Sequence, residues 1–509
     1  MSEDAIPDDQ IIIKWKEFDY DLRSDGANQS ASSRIVHPRE NRVDFGWITS
    51  ALQRAGILQL SGLPSAGSHI LLPLGTRILR IFSKIVREEY EKSGLEEFDY
   101  PVIAGAEIYE PTRQLLDLNE RILYAARWKD WGTGHRRTVL NPTGEAIIYS
   151  HWSSQIKGPE TLPVRMYRRT TYFRPVTSGA RVALWHGMES PDVFEFHEAH
   201  AYEAQALASL QEGLAMLHRV EDRLGLPVIW SIRPPWTNNG SISNRSFGGD
   251  VVLPVSATTQ VSCIYDQGQK FSKPYDVKWR DRGSSEYVYQ ICGALTRRMM
   301  LSLLVMALRV DGSILLPPVF APVQVGIVVS GTGSDVEFAI SLQRQLLESG
   351  IRVEMSLPET RNRLTQRVSS WKQGGVPIVA MIVSDRVQLV RRVVLIDNES
   401  VTEESVHEPD VSETALSIQR RLEVIAQSIL RQLRRNARAE VCETIEKCRE
   451  TLSERQLIVT PMVPTRNATE LVGSWRQGEV LGFVKASSDE SCVVTGERTA
   501  IRALISPRT

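Results

Sequence analysis

Two arginines and the polar groups around them are the residues of this chain that could do chemistry together. Arg174 ends the run Tyr172-Phe173-Arg174 at the close of a strand-like stretch, and Arg298 lies in a strongly apolar segment. The loop Asn141-Pro142-Thr143-Gly144-Glu145 supplies a hydroxyl and a carboxylate ahead of Arg174. An arginine at a strand end, bracketed by such groups, suits an amino acid whose carboxylate must meet a phosphate. In-line attack of a carboxylate on a phosphorus asks the protein mainly to position groups and neutralise charge. A guanidinium fork can hold two oxygens at once, which lysine cannot.

Other patterns are weaker. His197-Glu198-Ala199-His200 has its histidines three apart, where a helical zinc motif needs four. Gly331-Thr332-Gly333 stands between a strand and a helix but lacks the lysine and serine of a phosphate loop, so a tight turn is expected. Cys442 and Cys448 have the wrong spacing for a zinc pair and read as helix-face cysteines.

The elements that must position these groups follow from hydrophobic periodicity. Thr76 to Ser93 is expected to be a helix, with Gly94 at its C-terminal cap, and Tyr202 to Leu224 a second one stopped by Gly225 and Pro227. Ile70–Leu72 and Tyr100–Ile103 read as short strands, Phe247 to Lys278 as mostly strand, and Tyr289 to Ala307 as a buried helix. After Leu315-Leu316-Pro317-Pro318 strand and helix alternate: Val323–Val329, Asp335–Ser349, Ile351–Met355 and Pro377–Val383. An acidic loop from Asp397 to Glu413 and a long helix from Thr414 to Arg435 complete that part. Residues 1–42 read as a flexible extension, because Ser24 to Ser33 is small and polar.

The chain has 509 residues, enough for several domains, and is 42% hydrophobic and 24% charged, which argues against extensive disorder. Lysine plus arginine number 60 against 61 acidic residues, so no global basic field is available for nucleic acid. Arg420, Arg421, Arg431, Arg434, Arg435 and Arg438 form a local basic run on the long helix, more simply a solvated face than an RNA contact. No apolar run reaches 18 residues, which argues against a membrane span, and the acidic N-terminus is unlike a targeting peptide. Five scattered cysteines argue against a disulfide framework, and a cytoplasmic location is expected.

Taken in order, Thr143-Gly144-Glu145, Tyr172-Phe173-Arg174, Phe194 to His200, Gln260 through Gly268-Gln269-Lys270-Phe271-Ser272, Arg298 and Leu315 to Val325 resemble prolyl-tRNA synthetase of the archaeal and eukaryotic type. The resemblance runs from about Asp44 to the C-terminus. It implies an α/β (α+β) architecture: a class II antiparallel sheet with flanking helices over 43–318, an α/β anticodon-binding-like domain over 319–435, and a small C-terminal α/β domain over 436–509. It also implies a homodimer.

On that resemblance Arg174 is the motif 2 arginine that bridges carboxylate and α-phosphate, and Arg298 is the motif 3 arginine that stacks on adenine. Thr143 and Glu145 bind the substrate amine. Phe196, Glu198 and His200 match the family's Trp-Gln-Glu-Gly-His stretch in the amino-acid pocket, which Tyr265 also lines. Gln260 and Cys263 lie beside ATP, Asp250 helps to hold Mg2+, and Arg181 is the nearest candidate for the loop arginine on the γ-phosphate.

The departures are informative. Val176 stands where the family reads adenine with glutamate, and the family's Arg-Glu-Phe becomes Asp192-Val193-Phe194. Before the Asn-Leu-Gly-Gln stretch the family's histidine is Tyr265 and its serine Ile264. The polar stretch Asn238 to Ser243 offers no counterpart to a phenylalanine lining the proline site. Asp397, Glu399, Glu403, Glu404 and Glu408 would repel phosphate, and of a four-cysteine zinc site only Cys492 survives, with Thr495 in a partner position.

The expectation is therefore ATP-dependent formation of an aminoacyl-adenylate, with transfer to an acceptor that is a small molecule or carrier rather than proline tRNA. Two alternatives are a divergent enzyme that charges tRNA and a non-catalytic binding protein on the same fold.

Overall fold

The computed structural model describes residues 4–15, 35–36, 43–60, 68–113, 115–116, 122–125, 138–175, 188–237, 239–255, 257–331, 333–357, 360–384, 391–398, 403–407, 410–475 and 478–507. Val176, Arg181, Glu399 and Glu408 lie outside the described residues.

The site is carried by antiparallel strands β1 (Val164–Phe173), β2 (Glu189–His200), β3 (Ile229–Ile232), β4 (Arg245–Leu253), β5 (Ala257–Gly268) and β6 (Tyr289–Thr296). Their order across the sheet is β3-β4-β5-β6-β2-β1, within an eleven-stranded sheet. Side chains alternate between faces along each strand, so one register decides what reaches each side.

One face packs on helices α1 (Pro73–Lys92) and α3 (Glu203–Leu224). Ile78, Phe82, Ile85, Val86 and Tyr90 of α1 and Leu210, Leu214, Leu217 and Val220 of α3 are buried against Tyr167, Phe194, Phe196, Ile264 and Ile291. The helical spacing of those apolar residues is the reason both segments are helices, because each buries one stripe. Pro73 opens α1 at a position whose N–H needs no partner, and Gly225 closes α3 with φ +68°, a left-handed value that glycine adopts without strain. Removing a ring as large as that of Phe82 from this layer would cost about 3–5 kcal/mol.

The other face is covered by α2 (Glu145–Gln155), whose Tyr149 and Trp152 pack with Met166, Ala199, Phe271 and Tyr275.

The segment expected to be one helix over Tyr289–Ala307 is strand β6 followed by helix α4 (Arg297–Met306). A continuous apolar run fits a fully buried strand as well as a buried helix, and periodicity cannot separate them. Thr296 marks the change: its hydroxyl accepts the Arg298 N–H at 3.1 Å and caps the helix.

Further along the chain a separate five-stranded sheet forms, in which Val353–Ser356, Val325–Ser330 and Ile378–Ser384 run parallel and Arg391–Asp397 and Glu403–His407 continue antiparallel. The acidic stretch expected as a loop thus contributes the edge strand, and helix α5 (Val411–Asn436) begins three residues earlier than its apolar spacing indicates. At Gly331 the chain turns tightly onto the buried Asp335 carboxylate, which Arg391 holds at 2.9 Å.

The C-terminal strands Gly478–Ser491 and Arg498–Pro507 do not form a separate sheet. They extend the catalytic one, through the pair Phe483 and Ile232. The N-terminal extension is anchored where it is described. Trp15 N–H donates to the Lys485 carbonyl at 2.9 Å, Ile6 N–H to Pro464 at 2.9 Å and Val36 N–H to Leu308 at 2.8 Å.

Candidate active site

Strand β1 delivers Arg168, Tyr172 and, just past its end, Arg174 to the face under α2. Strand β2 delivers Glu195 and His197 to the same face, since Arg168 pairs with Glu195 in register. Arg168 is buried, bonds to Glu195, and donates to the Tyr172 hydroxyl at 3.3 Å; Tyr172 donates to the same carboxylate. His197 Nε2 stands 3.4 Å from the second Glu195 oxygen. Burial would raise the Glu195 carboxyl, but the Arg168 guanidinium, His197 and Tyr172 outweigh it and hold it at about 2. The N-terminus of α2 rests on this pair. A Cβ at Gly144 would come within 2.4 Å of Glu195 and 2.6 Å of the Tyr172 hydroxyl, so only glycine allows the approach.

Above this floor the loop before α2 presents Thr143, hydrogen-bonded to Glu145. Arg174 Nε donates to the Pro142 carbonyl at 2.8 Å, which fixes its stem while its remaining nitrogens face outward beside the Tyr172 ring. Arg298 comes from the first turn of α4, and its Nη1 donates to the Gln260 carbonyl at 3.1 Å. Burial first, and then the charge of Arg174, pull the Arg298 guanidinium below its ordinary value. The two cations therefore face one region, and an anion placed between them relieves both.

One turn along α2 from Glu145, Tyr149 is fully buried. Its hydroxyl donates to Gln267 Oε1 and meets His197 Nδ1 at 2.9 Å. A hydroxyl has one proton, so with Gln267 Oε1 taking it His197 Nδ1 must be the donor in the second bond.

Of the residues singled out from the sequence, Thr143, Glu145, Arg174 and Arg298 converge here. Tyr265 and Cys263 share the same side of β5 and bond to each other. The Gln260 side chain meets Arg233 at 3.5 Å.

Phe196, Glu198 and His200 do not converge. They point to the opposite face, where the Phe196 ring packs 5.7 Å from Tyr90. Glu198 there takes Arg165 at 2.8 Å, Ser209 at 2.7 Å and His200 at 3.2 Å. Three residues upstream, Glu195 and His197 repeat the spacing of Glu198 and His200, and an offset by an odd number puts them on the opposite face, with Arg168 and Tyr172. The signal that finds this register is the alternation itself: Phe194 and Phe196 mark the core side, so Glu195 and His197 must face the other way. The same geometry separates His197 from His200, which rules out their sharing a metal.

Asp250 does not fit a magnesium role. It is buried and its carboxylate is engaged by Arg233 at 2.7 Å. Among the described residues no group of three or more His, Cys, Asp or Glu side chains could hold a metal ion. Cys492 instead accepts the Val463 and Thr495 N–H groups at 3.5 and 3.4 Å. Cys442 precedes rather than joins the helix Ile445–Ser453, which carries Cys448.

Residues 130–306 match the family model of the tRNA synthetase class II core domain (G, H, P, S and T). A proline–tRNA ligase of Pyrococcus horikoshii is 29% identical over 343 residues, 65% of this chain and 69% of that protein. The proline–tRNA ligase of Ignicoccus hospitalis is 26% identical over 480 residues, 89% and 95% of the two chains. The chain is similar to prolyl-tRNA synthetases along most of its length. Its fold is that of solved prolyl-tRNA synthetases: the Giardia lamblia enzyme in complex with prolyl-adenylate superimposes with a TM-score of 0.83 at 17% identity, covering 94% of this chain and 100% of the other. The enzyme from Cryptosporidium parvum, complexed with L-proline and AMP, gives 0.77 at 18% identity, covering 91% and 97%. No helix among the described residues of this synthetase-like protein is long and apolar enough to cross a membrane.

Proposed function

We propose that this class II synthetase-like ligase condenses an amino acid with ATP to an aminoacyl-adenylate, releasing pyrophosphate, and passes the acyl group to an acceptor. The observation that carries this reading is the convergence of Arg174 and Arg298 on one region in front of Thr143 and Glu145. A carboxylate attacking the α-phosphate builds negative charge between nucleophile and phosphorus, where two fixed guanidinium groups stabilise it most. Thr143 and Glu145 offer an acceptor pair for the substrate ammonium. Magnesium is expected with the nucleotide, but Asp250 is committed to Arg233, so no protein ligand for it is assigned and no step is routed through it. A homodimer and a cytoplasmic location belong to the same reading, by resemblance.

For the acceptor we favour a small molecule or carrier. The acidic segment forms the edge strand Glu403–His407 of the five-stranded sheet, and Arg421 is engaged by Asp397 at 2.7 Å, so that surface is a poor partner for phosphates. Charging of tRNA is the second reading, favoured by relatives that are named for it and match almost end to end. Amino-acid-dependent exchange of labelled pyrophosphate into ATP tests activation, and its absence with every common amino acid would refute it. Acid-precipitable aminoacyl-tRNA formed from bulk tRNA would decide for the second reading over the first.

A further inference from the structure

Behind the reacting centre the site face contains polar atoms that have no partner within the protein. Gln267 is fully buried; its Oε1 is held by Tyr149 while its Nε2 meets nothing. Gln290, on β6 next to Gly268, is fully buried with neither amide atom bonded, and Nη1 of the buried Arg168 is equally without a hydrogen bond. An unmet buried polar group costs about 1–3 kcal/mol, so three such side chains on one face favour a polar ligand group that meets them.

These atoms lie on the substrate side of the sheet. His197 neighbours Glu195 on β2, and Tyr149, which links His197 to Gln267, stands one helical turn, about 5.4 Å, below Glu145. Taken together they offer N–H donors (Arg168, Gln267, Gln290) and an acceptor (Gln290 Oε1). An apolar ring such as that of proline satisfies none of these. A carboxylate would meet Glu145 and Glu195 on the same face. A carboxamide or hydroxyl side chain can give and accept at once. The sequence agrees, since Gln267 occupies the leucine position of the family's Asn-Leu-Gly-Gln.

Resting on the activation reading above, we infer that the amino acid this chain activates has an uncharged polar side chain, an amide or an alcohol, and that Gln267 selects it. A site built to hydrogen-bond a substrate group discriminates strongly against an analogue lacking that group, because its own buried atoms are then left unpaired.

The test is pyrophosphate exchange by the full chain with asparagine, glutamine, serine, threonine and proline, each alone. One of the four polar amino acids should exceed proline in kcat/KM by at least about tenfold. Gln267→Leu should lower that ratio by at least about tenfold while the KM for ATP stays unchanged, a separation that a merely structural residue would not produce. If Gln267→Leu does not fold, as judged by thermal melting, Gln267→Met keeps the chain length and serves the same comparison. Proline as the best substrate of the unaltered protein overturns the inference and leaves activation standing, as does a ratio that the Gln267 variant changes by less than about twofold. No exchange with any amino acid removes the activation reading itself.

Discussion

The two faces of the catalytic sheet are fed by the same strands and treat buried polar groups in opposite ways. On the α3 side, Glu198 is closed off by Arg165, Ser209 and His200. Glu221 there accepts from Trp230 and Ser262 and meets His218 at 3.1 Å. On the α2 side, Glu195 is held just as firmly, yet Arg168, Gln267 and Gln290 keep unbonded atoms. Saturated networks fix a structure, whereas incomplete ones await a ligand that completes them. The difference shows why the acid and histidine of β2 have distinct roles according to the parity of their numbers.

The comparison breaks most sharply at the arginines. Arg174→Ala should reduce pyrophosphate exchange by about 10²–10³-fold, the usual loss of one preorganised charge contact in a transition state. Because Arg174 is exposed and its side chain donates to the Pro142 carbonyl alone among the described residues, the melting temperature should hardly move. Unchanged exchange in that variant would remove the guanidinium pair from the mechanism. The mirror experiment is Glu198→Ala on the opposite face. It leaves the Arg165 charge partly buried without its main partner, and stability to urea should fall by about 3 kcal/mol. The KM for the amino acid should remain as it was; a raised KM with stability intact would show that the faces are wrongly assigned.

Acid should act on the α2 face in a defined window. The Glu195 carboxyl is held at about 2 against an ordinary 4.5. A depressed carboxyl contributes stability that is fully present above its unfolded value and is lost as pH falls through its folded one. Unfolding free energy should therefore decline between about pH 4.5 and pH 2, by about 3 kcal/mol from this group. Glu195→Gln should flatten that part of the profile.

Much of this was legible in the residues. The long helices α1, α3 and α5 follow from apolar spacing and end at Gly94, at Gly225 and after Asn436. Thr143, Glu145, Arg174 and Arg298 are marked by order and spacing along the chain. Phe196, Glu198 and His200 fall on the other face: residue order alone does not register a strand, whereas the alternation of Phe194 and Phe196 with Glu195 and His197 does. Arg168 and Tyr149 carried no signal at all. Nothing in a buried arginine or tyrosine tells, before β1, β2 and α2 are assembled, that it will meet Glu195 or Gln267. The attachment of the C-terminal strands to the catalytic sheet, through the strand pair Phe483 with Ile232, the Arg233 bond to the Leu481 carbonyl and the Thr258–Ser506 hydroxyl contact, is likewise a matter of assembly.

The smallest effect tests the finest part of the contrast. Tyr149→Phe deletes one oxygen and keeps a ring of the same shape among Trp152, Phe271 and Tyr275. Burial keeps the Tyr149 phenol protonated far above neutral pH, so in the native site it always has a proton to give to Gln267. Without it, Gln267 Oε1 and His197 Nδ1 lose their shared partner and the Gln267 amide is no longer aimed. On a purely structural face the loss would register as about 1 kcal/mol of stability. On a ligand-binding face it should also raise the KM for the preferred amino acid, by about five- to tenfold for the same free energy, with the KM for ATP untouched. If stability alone changes, the network under α2 is as self-contained as the one around Glu198, and the contrast between the faces fails at that point.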